Sequence, residues 1–405
     1  ANQYGTYGSY GKILHSLLLP LSGFLFNTIR DKDTICAGQI PDQLRGSNPK
    51  GGNGIYTYKW EQSTDSVIWV NASGTATLTT FQPNALYQTT FFRRVVNSVG
   101  ISDTSRPVKI FVYPAISNNI ISGTDTICYN KTASTITGTV PPALTGGNGV
   151  YRYSWERSTN NTDWDAVTGA TTASYNPGNL TASRYYRRLI SSTLYCNSIS
   201  NSVKITVLPS ITSNTFYGLL DTTICQLLSP GPLSAIPPGG GDGLYHYKWQ
   251  NKPGLGNWQD IAGSDIMQYN PGNLNETTYY RRIVYSGNDN ACVDTSVSKK
   301  VNVLPFISNN IITTDSLRYC AGNNPDVITG LLPAGGNNTY SYKWQIKTSG
   351  DWITLSNATG QHYDPVMVEH NPTQFRRIVS SGILKSIYVC NDTSAPVSLE
   401  VIPYI

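Results

Sequence analysis

The stretch Gly146-Gly-Asn-Gly-Val-Tyr-Arg-Tyr-Ser-Trp155 decides how this chain is read. A glycine-rich turn, whose Gly and Asn residues tolerate positive φ, runs into residues that alternate aromatic and polar at period two, the mark of a half-buried strand. The turn recurs as Gly51-Gly-Asn-Gly54, Gly240-Gly-Asp-Gly243 and Gly335-Gly-Asn-Asn338, and the strand as Tyr56 to Trp60, Tyr245 to Trp249 and Tyr340 to Trp344. A glycine-rich loop can also cradle phosphate. Here no helix and no Gly-Lys-Ser/Thr step follows it, so it is read as a turn.

The tryptophans extend the pattern outward. Trp60, Trp155, Trp249 and Trp344 are spaced by 95, 94 and 95 residues, and Trp69, Trp164, Trp258 and Trp352 follow each by eight or nine. The pairs Arg93-Arg94, Arg187-Arg188, Arg281-Arg282 and Arg376-Arg377 repeat at 94, 94 and 95. This is a fourfold tandem repeat. Each unit ends in a strand stopped by proline (Val108 to Pro114, Val203 to Pro209, Lys299 to Pro305, Val397 to Pro403), since proline cannot donate to a ladder. The expected architecture is all-β: an N-terminal strand at 1–20, then four tandem antiparallel β-sandwich domains at 21–114, 115–209, 210–305 and 306–405. Short linkers favour an elongated rod.

Composition agrees. Only 13% of the 405 residues are charged, against roughly 25% in ordinary soluble domains. The chain has 36 Gly, 23 Pro, 27 Tyr and two Met, a poor stock for exposed helices. The net charge of +5 is spread along the chain without a run of five or more like charges, so no nucleic-acid or membrane footprint is expected. The longest apolar stretch, Ile13 to Phe26, is broken by His15, Pro20 and Gly23 and is shorter than the roughly 18 residues a membrane span needs. Opening on Ala1, the chain reads as mature or excised.

Six of the seven cysteines fall at matching places in units two to four: Cys128 and Cys196, Cys225 and Cys292, Cys320 and Cys390. Three intradomain disulfides and an oxidising, extracellular compartment are expected. Zinc would need closer spacing or nearby histidines, so no metal or other cofactor is expected. Unit one keeps Cys36 but has Ile101 where its second cysteine would stand. Cys36 is therefore read either as a buried free thiol packed against Ile101 or as half of an intermolecular disulfide.

Residues 11–20 occupy the place of a closing strand whose own unit is missing, with Pro20 leading Cys36 by 16 as Pro209 leads Cys225. Leu14 and Leu18 match the inward positions, while Ile13, Leu17 and Leu19 make the other face apolar too. Such a strand promotes association. It inserts into a sheet of another copy, packs back on unit one, or belongs to a slice of a larger repeat protein.

Chemistry is sparse. No nucleophile elbow, P-loop, HExxH or dinucleotide fingerprint appears, the four histidines do not repeat, and no carboxylate pair recurs, so no enzyme is expected. Neighbouring residues on a strand face opposite sides, so an Arg-Arg pair cannot form one anion clamp. One arginine is expected to stack over the sandwich aromatics and the other to face solvent. The tyrosines serve as core and cross-strand pairs, or as a carbohydrate-binding face.

The string Gly-Gly-Asn-Gly-x-Tyr-x-Tyr-x-Trp-Glu-x-Ser-Thr, followed by Tyr-Asn-Pro-Gly-Asn-Leu, Tyr-Tyr-Arg-Arg and Asp-Thr-Ile-Cys at the unit start, resembles the Ig-like or PKD-like tandem repeats of large Bacteroidota surface proteins, gliding adhesins among them. The likeness covers about residues 21–405. It implies type IX secretion, a cell-surface location, and a part in adhesion, gliding or extracellular fibres. Asp-Ser/Thr steps near each first cysteine, with a fifth at Asp65-Ser66, resemble that phylum's O-glycosylation motif, which implies glycans at Thr34, Thr126, Thr222, Ser316 and Ser66. The expected function is a structural subunit or segment of a surface filament or adhesin, with self-association into a homopolymer or neighbouring repeats as partners. The alternative is a glycan-binding or spacer module that meets surface glycans.

Overall fold

The computed structural model describes residues 24–30, 32–193, 195–217, 222–366, 372–382 and 389–403. The expected assembly residues Ile13, Leu14, Leu17, Leu18 and Leu19 lie outside the described residues. Four copies of one β-sandwich follow one another, and the helical content among the described residues is a single 3-10 turn at Asn288–Asn290. The chain divides into two compact units. One holds Ala1–Asp125, Thr132–Asn179 and Ser183–Thr206; the other holds Thr126–Lys131, Leu180–Ala182 and Val207–Ile405.

The second repeat shows the plan. Its tryptophan strand, Arg152–Ser158, lies antiparallel to its arginine strand, Arg184–Ser192, with Trp155 opposite Arg188 and Glu156 opposite Arg187. The arginine strand also pairs with the closing strand Val203–Leu208 and with Cys196–Ile199. Last in the order comes the cysteine strand, Asp125–Cys128, beside the closing strand. In the other three repeats this last pairing is parallel, as in Asp33–Cys36 against Ile110–Tyr113. The sheets are therefore not wholly antiparallel as expected. The first and last strands of a repeat are joined by nearly its whole length, ample for the crossover that parallel pairing demands. Opposite this sheet lie short pairs such as Ile121–Ser122 with Thr137–Gly138.

The core forms where alternation turns aromatics inward. Trp60, Trp155, Trp249 and Trp344 are buried, and each indole N–H donates to a backbone carbonyl, of Leu78, Thr172, Ile266 and Gly360 respectively. Each stands at the head of a line of rings, Trp155–Tyr175–Tyr186 in the second repeat with centroids 5.5 and 5.6 Å apart. Burial, and then the neighbouring Tyr175, push the Tyr186 phenol up to about 12.

The arginine pair splits across the sheet. Arg94, Arg188, Arg282 and Arg377 are fully buried. Arg188 donates from Nε and Nη2 to Oδ1 of Asn119 at 3.0 and 2.9 Å and from Nη1 to the carbonyl of Ala173 at 2.8 Å. Asn27, Asn214 and Asn310 play the same part for Arg94, Arg282 and Arg377. The guanidinium lies over Tyr153 at 5.2 Å, with Tyr58, Tyr247 and Tyr342 in the other repeats. Burial lowers the guanidinium pKa in all four, but an arginine stays charged. Close against it, a Cβ added to Gly46, Gly138 or Gly330 would fall 1.7–2.0 Å from the guanidinium Nη1, which is why those strand positions carry none.

The other arginine does not simply face solvent. Arg93, Arg187, Arg281 and Arg376 stack on Trp69, Trp164, Trp258 and Trp352 at 4.2–4.3 Å, which accounts for the second tryptophan series. Trp164→Ala should cost the second repeat on the order of 1 kcal/mol in chemical unfolding, the size of a part-exposed cation–π contact. Beneath the stack, Arg93 and Arg187 pair with Glu61 and Glu156 at 2.7 and 2.6 Å, while Gln250 and Gln345 take that place later.

Burial acts to raise the Glu61 pKa, but hydrogen bonds and charge from Lys59 and Arg93 outweigh it, so the carboxyl titrates below its usual 4.5. A lowered folded pKa stabilises fully above the unfolded value and loses that contribution as pH falls through the folded one. The stability difference between the parent and Glu61→Gln should therefore shrink as pH drops below about 4.5, read by denaturant titration at stepped pH.

Candidate functional site: the joint between repeats

The four glycine-rich turns stand at the starts of the tryptophan strands. In the second repeat Gly147 has φ +58°, and a Cβ there would meet Oγ of Ser192 at 2.2 Å. That hydroxyl donates to Oδ1 of Asn148 at 2.7 Å and accepts from its amide, while Oδ1 also accepts from the amide of Val150. The Tyr151 hydroxyl donates to the carbonyl of Gly146 at 2.9 Å. Asn53, Asp242 and Asn337 repeat the lock with Ser98, Ser286 and Ser381.

The turn is where one repeat receives the one before it. The carbonyl of Pro114 accepts from the amide of Gly147 at 2.8 Å, and the carbonyls of Pro209 and Pro305 accept from Gly241 and Gly336. The linker passes so close that a Cβ on Gly146 would lie 2.0 Å from the carbonyl oxygen of Ala115. The sulfurs of Cys36 and Cys196 lie 3.8 and 3.9 Å from the Pro114 oxygen.

Those two sulfurs are bonded to each other, which corrects the pairing expected from spacing. The disulfides are Cys36–Cys196, Cys128–Cys292 and Cys225–Cys390, with Cα–Cα distances of 5.2, 4.9 and 5.6 Å; Cys320 is free and exposed. The expected bonds Cys128–Cys196, Cys225–Cys292 and Cys320–Cys390 are absent, and Cys36 is not the unpaired thiol. Geometry explains the shift. Parallel pairing sets Cys36 opposite Tyr113, the residue before Pro114, at the outgoing end of its repeat. Cys196 pairs with Ser192, the residue that locks the incoming turn. The two cysteines of one repeat thus belong to its opposite ends. The pairs that meet come from consecutive repeats.

Each joint has further support. In the first, Gln39 accepts from the Cys36 amide and donates to the carbonyl of Tyr195 at 3.1 Å. Within the second compact unit, Cys128 and Cys292 pack with Ile211 and Val284, and Cys390 packs with Ile307 and Val379, with Cys225 against them.

The implied glycan residues do not converge on this site. Thr34 and Thr126 are half-buried in cysteine strands, Ser316 is half-buried, Ser66 is exposed, and Thr222 opens its strand. The aspartates of the motif have structural work. Asp33 accepts from the amides of Thr34 and Asp42, and Asp125 from that of Ser134, tying each strand to a loop nine residues on. Among the described residues no group of three or more His, Cys, Asp or Glu could hold a metal, and no helix is long and apolar enough to cross a membrane. Sequence reasoning missed the four buried asparagines, although Asn27, Asn119, Asn214 and Asn310 recur at near-constant spacing.

A model of one domain of unknown function (DUF8696) matches four successive segments, 26–114, 117–209, 219–305 and 309–403. The chain belongs to this family. No curated protein matches it. Among solved structures, three N-terminal domains of the bacteriophage RB49 highly immunogenic outer capsid protein (Hoc) are similar at 12% identity, covering 68% of this chain and 97% of that one, with a TM-score of 0.34. Sidekick-1 immunoglobulin domains 1–4 are similar at 11% identity, covering 94% and 99%, with a TM-score of 0.27. The N-terminal four Ig domains of Dscam1 isoform 6.9 are similar at 12% identity over the same shares, with a TM-score of 0.24.

Proposed function

We propose that this DUF8696 chain is a structural protein of the cell exterior, a subunit or segment of a surface filament or adhesin. The observation that carries the reading is the covalent joint: each disulfide ties a repeat to the next across a linker of a few residues. A pull on the Pro114 linker is shared by the Cys36–Cys196 bond, so consecutive repeats resist separation even where a single linker would yield. Three such bonds suit an oxidising, extracellular compartment. No catalytic step is assigned.

The finer parts of the proposal rest on the sequence. They are placement on a Bacteroidota cell by type IX export, glycans at Thr34, Thr126, Thr222, Ser316 and Ser66, and assembly into a homopolymer by insertion of the 11–20 strand into another copy. Electron microscopy of the purified protein with and without residues 1–20 tests the assembly. Fibres that vanish on deletion are expected; no fibres from either chain, or equal fibres from both, would contradict it. An intact mass above the bare 44.3 kDa chain is the expected sign of glycans.

A further inference from the structure

The outgoing end of the fourth repeat is built like the three that are bonded. Cys320 stands opposite Ile402, the residue before Pro403, as Cys36 stands opposite Tyr113 and Cys225 opposite Leu304. The amide after the cysteine donates to the closing strand in all four repeats: Ala37 to Tyr113, Tyr129 to Leu208, Gln226 to Leu304 and Ala321 to Ile402, at 2.8–2.9 Å. The Cys-Ala-Gly turn at 320–322 repeats the one at 36–38, with Gly322 at φ 88° and Gly38 at φ 87°. Yet Cys320 is exposed and unbonded, and Ile402 beside it is 41% exposed.

The three equivalent joints show what covers such a face. It is a repeat of this family whose glycine turn takes the proline carbonyl and whose cysteine opens the strand after the arginine strand. The first repeat of a second copy lacks that cysteine, because Ile101 holds the place opposite Ser98 that Cys196 holds opposite Ser192. We propose that this face receives a further family repeat bearing the second cysteine, that Cys320 bonds to it, and that Ile101 prevents the first repeat of another copy of this chain from serving as that partner. This goes beyond the structural role, for it names the kind of partner met at one end.

Bond formation joins the two sulfurs and passes their two protons and two electrons to a disulfide oxidant, which breaks into two thiols. The probe is the full chain carrying Ile101→Cys, held in a mixture of oxidised and reduced glutathione. It should give a non-reducing ladder at multiples of 44.3 kDa, a peptide linking position 101 to Cys320, and collapse to monomer on reduction. The parent chain and Ile101→Cys/Cys320→Ser should give no ladder. A variant that keeps its Cys36–Cys196 peptide yet stays monomeric, or links only through two copies of Cys320, overturns the proposal.

A second measurement stands apart from folding of the variant: the Cys320 peptide of the native protein, alkylated in its producing cells. Recovery bonded to the second cysteine of a further family repeat, outside residues 1–405, supports the proposal. Recovery as a free thiol, a glutathione adduct, a bond to another cysteine of residues 1–405 or a Cys320 pair overturns it. Failure of the parent to form fibres leaves both readings of Cys320 unchanged.

Discussion

Cys36→Ser alone should destabilise the first two repeats as much as Cys36→Ser/Cys196→Ser does. In the chain-entropy model a bond closing 160 residues contributes about 5 kcal/mol. Guanidinium unfolding should show the early transition moving to lower denaturant in both variants and in the parent after selective reduction. If the disulfides lay within repeats, Cys36 would be a lone thiol and its loss nearly silent, while Cys196→Ser would strip the second repeat. The ratio of the two single variants therefore decides between the pairings without any appeal to absolute magnitude. Cys320→Ser should leave stability unchanged, since nothing in the chain is bonded to it.

The second large effect comes from the buried arginine. Asn119→Leu removes the oxygen that accepts two bonds from Arg188 while the guanidinium stays fully enclosed. Bonds to a charged group contribute about 1.5–3 kcal/mol each, and leaving a buried charge uncompensated costs about 3–5 kcal/mol. The second repeat should therefore unfold on its own, ahead of the rest, in calorimetry. Arg188→Met in the same background should restore part of the loss, because an apolar chain of similar volume needs no acceptor. A cost below about 1 kcal/mol for Asn119→Leu, or a double variant weaker than the single one, would show that the charge finds other acceptors. The same pair of substitutions at Asn310 and Arg377 should act in the same direction, since Arg377 is equally enclosed and donates from Nε to Oδ1 of Asn310 at 2.9 Å.

Much of the fold was legible because short-range pattern determines it. Alternation in Tyr151 to Trp155 placed Trp155 inward, and the fixed spacing of Trp155 and Arg188 reflects their pairing as opposite residues of one ladder. Aligning Ile101 with the missing cysteine also agrees with the register, since Ile101 and Cys196 sit opposite Ser98 and Ser192. The joint was not legible, for a reason that spacing hides. Cysteines about 68 residues apart in one repeat look like partners, and the alternative of 160–165 residues shifts the frame by one repeat and also leaves one cysteine over. What separates the two frames is the parallel pairing of first and last strands, which carries the first cysteine to the outgoing end. Period-two alternation is the same for parallel and antiparallel neighbours. The asparagine partners were overlooked because an Asn before a strand reads as ordinary turn chemistry, and only burial of the arginine gives it a second meaning.

The central claim is that the disulfides join consecutive repeats. Proteolysis of the purified, alkylated chain without reduction, followed by mass spectrometry of the linked peptides, tests it most directly. The structure predicts Cys36 linked to Cys196, Cys128 to Cys292 and Cys225 to Cys390, with Cys320 recovered alkylated when residues 1–405 are produced without a partner repeat. Linked peptides joining Cys128 to Cys196, Cys225 to Cys292 and Cys320 to Cys390, with Cys36 alkylated, would contradict it.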